Sequence, residues 1–170
     1  MGFKQLNLNI QSQFPIVQEE REAMTYLLNE FPNLKRQDNE RIPDILDNPI
    51  FGTHTIYSVC GHVIGVYSHY YCPISFRSSN HSKLLSSLTH LQHLRSLIFE
   101  ISESWEDQGQ FYEELGDQLG SKLVHLEIKA FNDIQSLEFL SNQMFKFSTL
   151  KTLRVDIYSR NFNPSFVDLI

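Results

Sequence analysis

Apolar residues recur in one pattern along the chain, at relative positions 0, 3, 5 and 7. It reads Phe3, Leu6, Leu8, Ile10; Leu94, Leu97, Phe99, Ile101; Leu123, Leu126, Ile128, Ala130; and Leu150, Leu153, Val155, Ile157. Strand side chains alternate between faces, so positions 3, 5 and 7 share one side of a strand and give each unit a face to bury. Upstream of three anchors lies helical spacing in common register, at ten, six and three residues before the anchor. Leu84, Leu88 and Leu91 precede Leu94; Leu140, Met144 and Phe147 precede Leu150; and Met24, Leu28 and Phe31 precede Leu34. The segment after Leu34 carries Gln37-Asp38-Asn39 where a strand belongs, and is expected to have decayed. A further helix, with Phe111, Tyr112, Leu115 and Leu119, is shifted in register and ends at Gly120, a candidate C-cap glycine.

The anchors at 3, 34, 94, 123 and 150 stand 31, 60, 29 and 27 residues apart. The 60 is about two periods, so a degenerate unit is expected between Leu34 and Leu94. Residues 52–76 break the pattern with the β-rich runs Thr55–Val59 and Val63–Tyr67, a strand pair around Cys60-Gly61-His62 or a distorted repeat. Asn163 to Ile170 reads as the start of another helix. The chain opens inside a strand pattern, so it is expected to be one domain over 1–170 or a fragment of a longer solenoid, with end-to-end self-association as one consequence.

On these units the chain resembles leucine-rich-repeat proteins of the long, helix-containing kind found in ribonuclease inhibitors and F-box proteins. The resemblance implies an α/β solenoid of strand-helix units with a mostly parallel sheet. The family motif places Asn or Cys eight residues after the anchor. Here those places hold Gln11, Ser102, Phe131 and Tyr158, so the turn after each strand must satisfy its backbone groups differently. A flatter parallel sheet covered on one side by helices, or an ordinary α/β domain with coincidental spacing, are the alternatives. Ile42-Pro43-Asp44-Ile45-Leu46 faintly resembles the start of an F-box, but no full helical box follows.

If positions 3, 5 and 7 face the core, positions 4, 6 and 8 form a ladder on the other side of the sheet. It runs Asn7, Asn9, Gln11; Ile98, Glu100, Ser102; Glu127, Lys129, Phe131; and Arg154, Asp156, Tyr158. A mixed charged and aromatic ladder suits a protein partner, because a few aromatic and Arg anchors carry most interface energy. The expected partner-binding residues are Glu100, Glu127, Lys129, Phe131, Arg154, Asp156 and Tyr158; an ordinary solvated face is the alternative. The reading is a non-enzymatic protein-binding scaffold needing no cofactor. The resemblance permits the narrower role of substrate recognition in an F-box-type ubiquitin-ligase receptor.

Composition bears on the partner class. A net charge of −6 argues against a phosphate-binding surface. No run of about 18 apolar residues is present to span a bilayer, and the N-terminus lacks a secretory stretch, which places the chain in the cytoplasm or nucleus. Cys60-x-His62 followed by His69-x-x-Cys72 offers the ligand types of a tetrahedral zinc site at unfamiliar spacing; the alternative is buried cysteines and surface histidines. A Cys-His nucleophile there lacks a strained-turn signature. Gly116 to Lys122 has the wrong spacing for a phosphate loop and follows a helix. Glu19-Glu20-Arg21-Glu22 reads as acidic first-turn residues favoured by the helix dipole, and Trp105 as a binding anchor or a ring packed over a loop.

Overall fold

In a computed structural model, residues 15–39, 55–67, 74–101, 105–131, 134–158 and 165–169 are described. They form four helices, α1 (Arg21–Glu30), α2 (His81–Thr89), α3 (Gln108–Leu119) and α4 (Ile134–Gln143). The strands are β1 (Lys35–Asn39), β2 (Thr55–Val59), β3 (His62–Tyr67), β4 (Ser75–Phe76), β5 (Ser96–Ile101), β6 (His125–Phe131), β7 (Thr152–Tyr158) and β8 (Ser165–Leu169). They build one sheet in the order β1-β2-β3-β5-β6-β7-β8, with β4 alongside β5. The expected α/β class with a mostly parallel sheet is therefore observed.

The repeat is seen most directly at the anchors. Leu34, Leu94 and Leu150 each donate their N–H to the carbonyl three residues earlier, on Phe31, Leu91 and Phe147. Leu123 donates instead to Leu119, four residues back, and this extra residue is the shifted register of the third helix. The residues after three anchors then reach back to the preceding strand segment: Arg95 donates to the Ile64 carbonyl, Val124 and His125 to that of Arg95, and Lys151 and Thr152 to that of Val124. Pairing in register follows, Leu97 beside Leu126 beside Leu153 and Phe99 beside Ile128 beside Val155. All six lie in one apolar cluster with Leu84, Leu88, Phe111, Leu115, Leu119 and Leu140 of the helices, so the helices cover this face.

Direction departs from a uniform progression. β3, β5, β6 and β7 are mutually parallel along the sheet, whereas β2 pairs antiparallel with β3, and β1 runs with β2. β1 and β2 thus run opposite to β3, β5, β6 and β7. Helix α1 buries Leu27 completely and leaves Leu28, the expected core position, exposed. The segment after Leu34 has not decayed: β1 is a strand, because backbone pairing to β2 and an Arg36 Nε bond to Ser58 Oγ at 3.0 Å outweigh its polar composition.

β2 and β3 are the strand pair expected within 52–76. Cys60 and Gly61 both have positive φ, 49° and 84°, which makes a two-residue turn of the type favoured in hairpins. A Cβ on Gly61 would also run into the Pro15 carbonyl oxygen. The register slips between Tyr57 and Ser58, which leaves Ile64 without a β2 partner; it packs on the second sheet face against Tyr57 and Ile98, and its carbonyl accepts the Arg95 N–H.

One further expectation is corrected and one is met. Ser165–Leu169 is a strand, antiparallel to β7, and not a helix start; edge pairing supplies the hydrogen bonds a lone first turn would lack. Gly120 is the C-cap of α3, as expected, with right-handed geometry, φ −60°. It is glycine for space, since a Cβ there would meet the Gly116 and Lys146 backbone. The Phe3–Ile10 unit and Ile42–Leu46 lie outside the described residues. Among the described residues no helix is long and apolar enough to cross a membrane.

Candidate functional site

The ladder read from alternation is one register-matched grid on the side of the sheet away from the helices. Ser96, His125 and Thr152 form one row; Ile98, Glu127 and Arg154 the next; Glu100, Lys129 and Asp156 the third; and Phe131 pairs with Tyr158 beyond them. Ser75 of β4 lies beside Glu100. Asn7, Asn9, Gln11 and Ser102 lie outside the described residues, and for Phe131 and Tyr158 the structure describes backbone pairing.

Charges alternate along and across the strands. Lys129 Nζ stands 3.7 Å from Glu127 Oε1, and Arg154 Nε donates to Asp156 Oδ1 at 3.1 Å. Lys129 lies in register between Glu100 and Asp156, and Arg154 beside Glu127. The ladder faces away from the helices as expected, but the alternative of an ordinary solvated face does not describe it. Glu127, Lys129 and Asp156 are 3%, 6% and 3% exposed, while Glu100 and Arg154 are half-buried. Facing away from the helices does not make a face wet: its apolar corner of Tyr57 and Ile98 is buried as well.

Burial sets the electrostatics. It pushes the Glu127 carboxyl above the usual carboxylate range, with the Lys129 and Arg154 charges acting against it. Burial likewise raises Glu100, opposed by Lys129 and Arg77. His125 is lowered, first by burial and then by the Arg154 charge. Ser96 and His125 stand side by side, yet Ser96 Oγ and both His125 ring nitrogens lack hydrogen-bond partners, so no nucleophile-base pair is formed between them.

Alternation located the grid; its burial, and the orphan atoms of His125, Ser96 and Ser75, had no signal in the sequence. A second missed residue is Glu20. Its position in an acidic run reads as a helix start, but it is 1% exposed. Oε2 accepts the Val63 N–H at 2.7 Å and Oε1 lies 3.8 Å from His62 Nδ1. With the Val17 N–H to Gly61 carbonyl bond, it fastens the segment before α1 to the β2–β3 turn.

Of the candidate zinc ligands, Cys60 is exposed at that turn and His62 begins β3, while His69 and Cys72 lie outside the described residues. No group of three metal-ligating side chains is assembled among the described residues. Trp105 stacks on His81 at 5.2 Å and meets Phe111 edge-on, packing over the N-terminal ends of α2 and α3. Between α1 and α2 a cavity of about 270 Å³ is lined by Glu22, Tyr26, Lys83 and Ser86, with the Lys83 ammonium 4.9 Å from the Tyr26 ring centroid. Comparison with protein-family models, curated proteins and solved structures finds no match to this chain.

Proposed function

We propose that the chain is a non-enzymatic, leucine-rich-repeat-like scaffold that binds a protein partner on the grid face of β5, β6 and β7. The observation that carries this reading is the register-matched ladder of Glu100, Glu127, Lys129, Phe131, Arg154, Asp156 and Tyr158 along three repeating strands. Strands held by a common backbone ladder space their side chains rigidly, so a partner is met by groups already ordered, and the entropic cost of binding falls. Glu100 and Arg154, the half-buried members at opposite corners, are the points of first contact. The narrower form of the proposal makes the partner a substrate of an F-box-type ubiquitin ligase.

The test is affinity purification with the full chain and with a Phe131→Ala/Arg154→Ala/Tyr158→Ala variant whose circular dichroism and melting remain those of a folded protein. Partners retained by wild type and lost by the variant are expected, and ligase subunits or substrates among them support the narrower form. An identical set of partners on both proteins removes the grid as the binding face.

A further inference from the structure

Beside the β2–β3 turn, two buried side-chain atoms without a hydrogen-bond partner face one another: Glu20 Oε1 and His62 Nδ1, 3.8 Å apart. Glu20 is held in place, since its Oε2 accepts the Val63 N–H at 2.7 Å and the residue is 1% exposed. His62 has two unlike edges. Its Nδ1 is sealed against the carboxylate, while the side chain as a whole is 40% exposed, so Nε2 is the ring nitrogen turned toward solvent. A carboxylate at Nδ1 favours the proton there and leaves Nε2 as a bare lone pair, which is how a buried acid prepares an imidazole for a metal ion.

The backbone delivers a second imidazole to the same place. The Arg95 N–H donates to the Ile64 carbonyl at 2.8 Å, and His93 and His62 each stand two residues before those partners. Their rings meet with centroids 4.3 Å apart and planes at 65°. Two imidazoles sharing one four-coordinate ion, with metal–nitrogen bonds of about 2.0–2.1 Å, hold their ring centres about 4.5–5 Å apart. His93 is exposed, so a small turn of its ring directs both imidazoles at one ion.

Charge selects the ion. Glu20 brings one carboxylate to this corner. Lys122, whose ammonium is tied to the Thr89 and Leu91 carbonyls at 3.1 Å each, interacts with Glu20 and with Arg95. A lone carboxylate offset by cations is a poor site for calcium or magnesium, which need several charged oxygens; neutral imidazoles suit the later first-row metals.

We propose that His62 and His93 bind a divalent transition-metal ion of the zinc, copper and nickel class, with Glu20 as the residue that positions His62. Among the described residues the two imidazoles are the whole protein ligand set, and the ion's other positions are left to water.

Calorimetric titration of the full chain with zinc chloride at neutral pH, where ligand imidazoles can be unprotonated, tests this. One zinc ion per chain is expected. His62→Asn and His93→Asn, each checked by circular dichroism to be folded, should weaken binding by about tenfold or more. Glu20→Gln keeps an acceptor for the Val63 N–H, so its metal-free melting should stay close to wild type while its zinc affinity falls by about tenfold. Long-range proton–nitrogen correlation spectra of that variant should show His62 moving from the Nδ1–H toward the Nε2–H tautomer, which a merely structural role for Glu20 does not produce. His90→Asn and Cys60→Ser should bind zinc as wild type does. Absence of stoichiometric zinc binding, undiminished binding by either folded His62→Asn or His93→Asn protein, or loss of binding in Cys60→Ser, which puts the ion on the turn thiol, overturns the proposal. Unchanged affinity and an unchanged His62 tautomer in Glu20→Gln overturn the positioning role.

Discussion

An imidazole buried without hydrogen-bond partners, as at His125, resists protonation, and that resistance becomes a dependence of stability on pH. Its folded pKa lies below the unfolded value of about 6.5. As pH falls through about 6.5 the unfolded chain takes up a proton before the folded chain does, so this residue's contribution declines toward acid. Glu127 and Glu100 act with the opposite sign. Their folded pKa values are raised, so the folded state holds protons longer and their contribution falls as pH rises above the ordinary value of 4.5. The prediction is that His125→Asn flattens the acid-side loss between about pH 7 and pH 5. Denaturant midpoints measured across that interval, wild type against variant, decide it; parallel curves contradict the assignment of His125 as a buried neutral ring.

At the scale of elements, the repeat joins helix, anchor and strand through the backbone bonds at Leu94, Leu123 and Leu150, and the core joins them through one apolar cluster. Leu97 is fully buried between Val66 and Leu126 in register. Leu97→Ala should therefore cost about 2–5 kcal/mol, the range for a leucine truncated in a close-packed core, read as a shift in the denaturant midpoint. Glu20 works differently, as a fastener between the segment before α1 and the β2–β3 turn. Glu20→Ala leaves the Val63 N–H buried without its acceptor and should cost about 1–3 kcal/mol. Faster exchange of the Val63 amide is its specific sign; an unchanged rate would show that the contact is not maintained.

Over the whole molecule, the sheet is unequal from centre to edge. β6 pairs along its length with β5 and β7, is covered by helices on one face and carries the buried grid on the other. β1 and β8 end the strand order. Opening free energies follow this gradient, since buried contacts must break before central amides are reached. Native-state exchange should find residues 125–131 slowest and 35–39 and 165–169 fastest. A β1 as protected as β6 would mean that its outer edge is covered in solution.

Much of this was written in the one-dimensional pattern. The spacing 0, 3, 5, 7 and the helical offsets place α2, α3, α4, β5, β6 and β7, because alternation and the 3.6-residue turn are local consequences of backbone geometry. The same alternation names the grid residues, and Cys60-Gly61 marks a turn since positive φ there favours glycine. What tertiary structure decided is pairing, direction and solvation. Polar Lys35–Asn39 is a strand because β2 offers it hydrogen bonds, and Ser165–Leu169 is one because β7 does. β1 runs opposite to β3, β5, β6 and β7, which periodicity does not encode: strand alternation is the same read in either direction of travel. Glu20, His125, Glu127 and Asp156 are buried through what packs around them, and the dryness of a charge depends on neighbours distant in sequence.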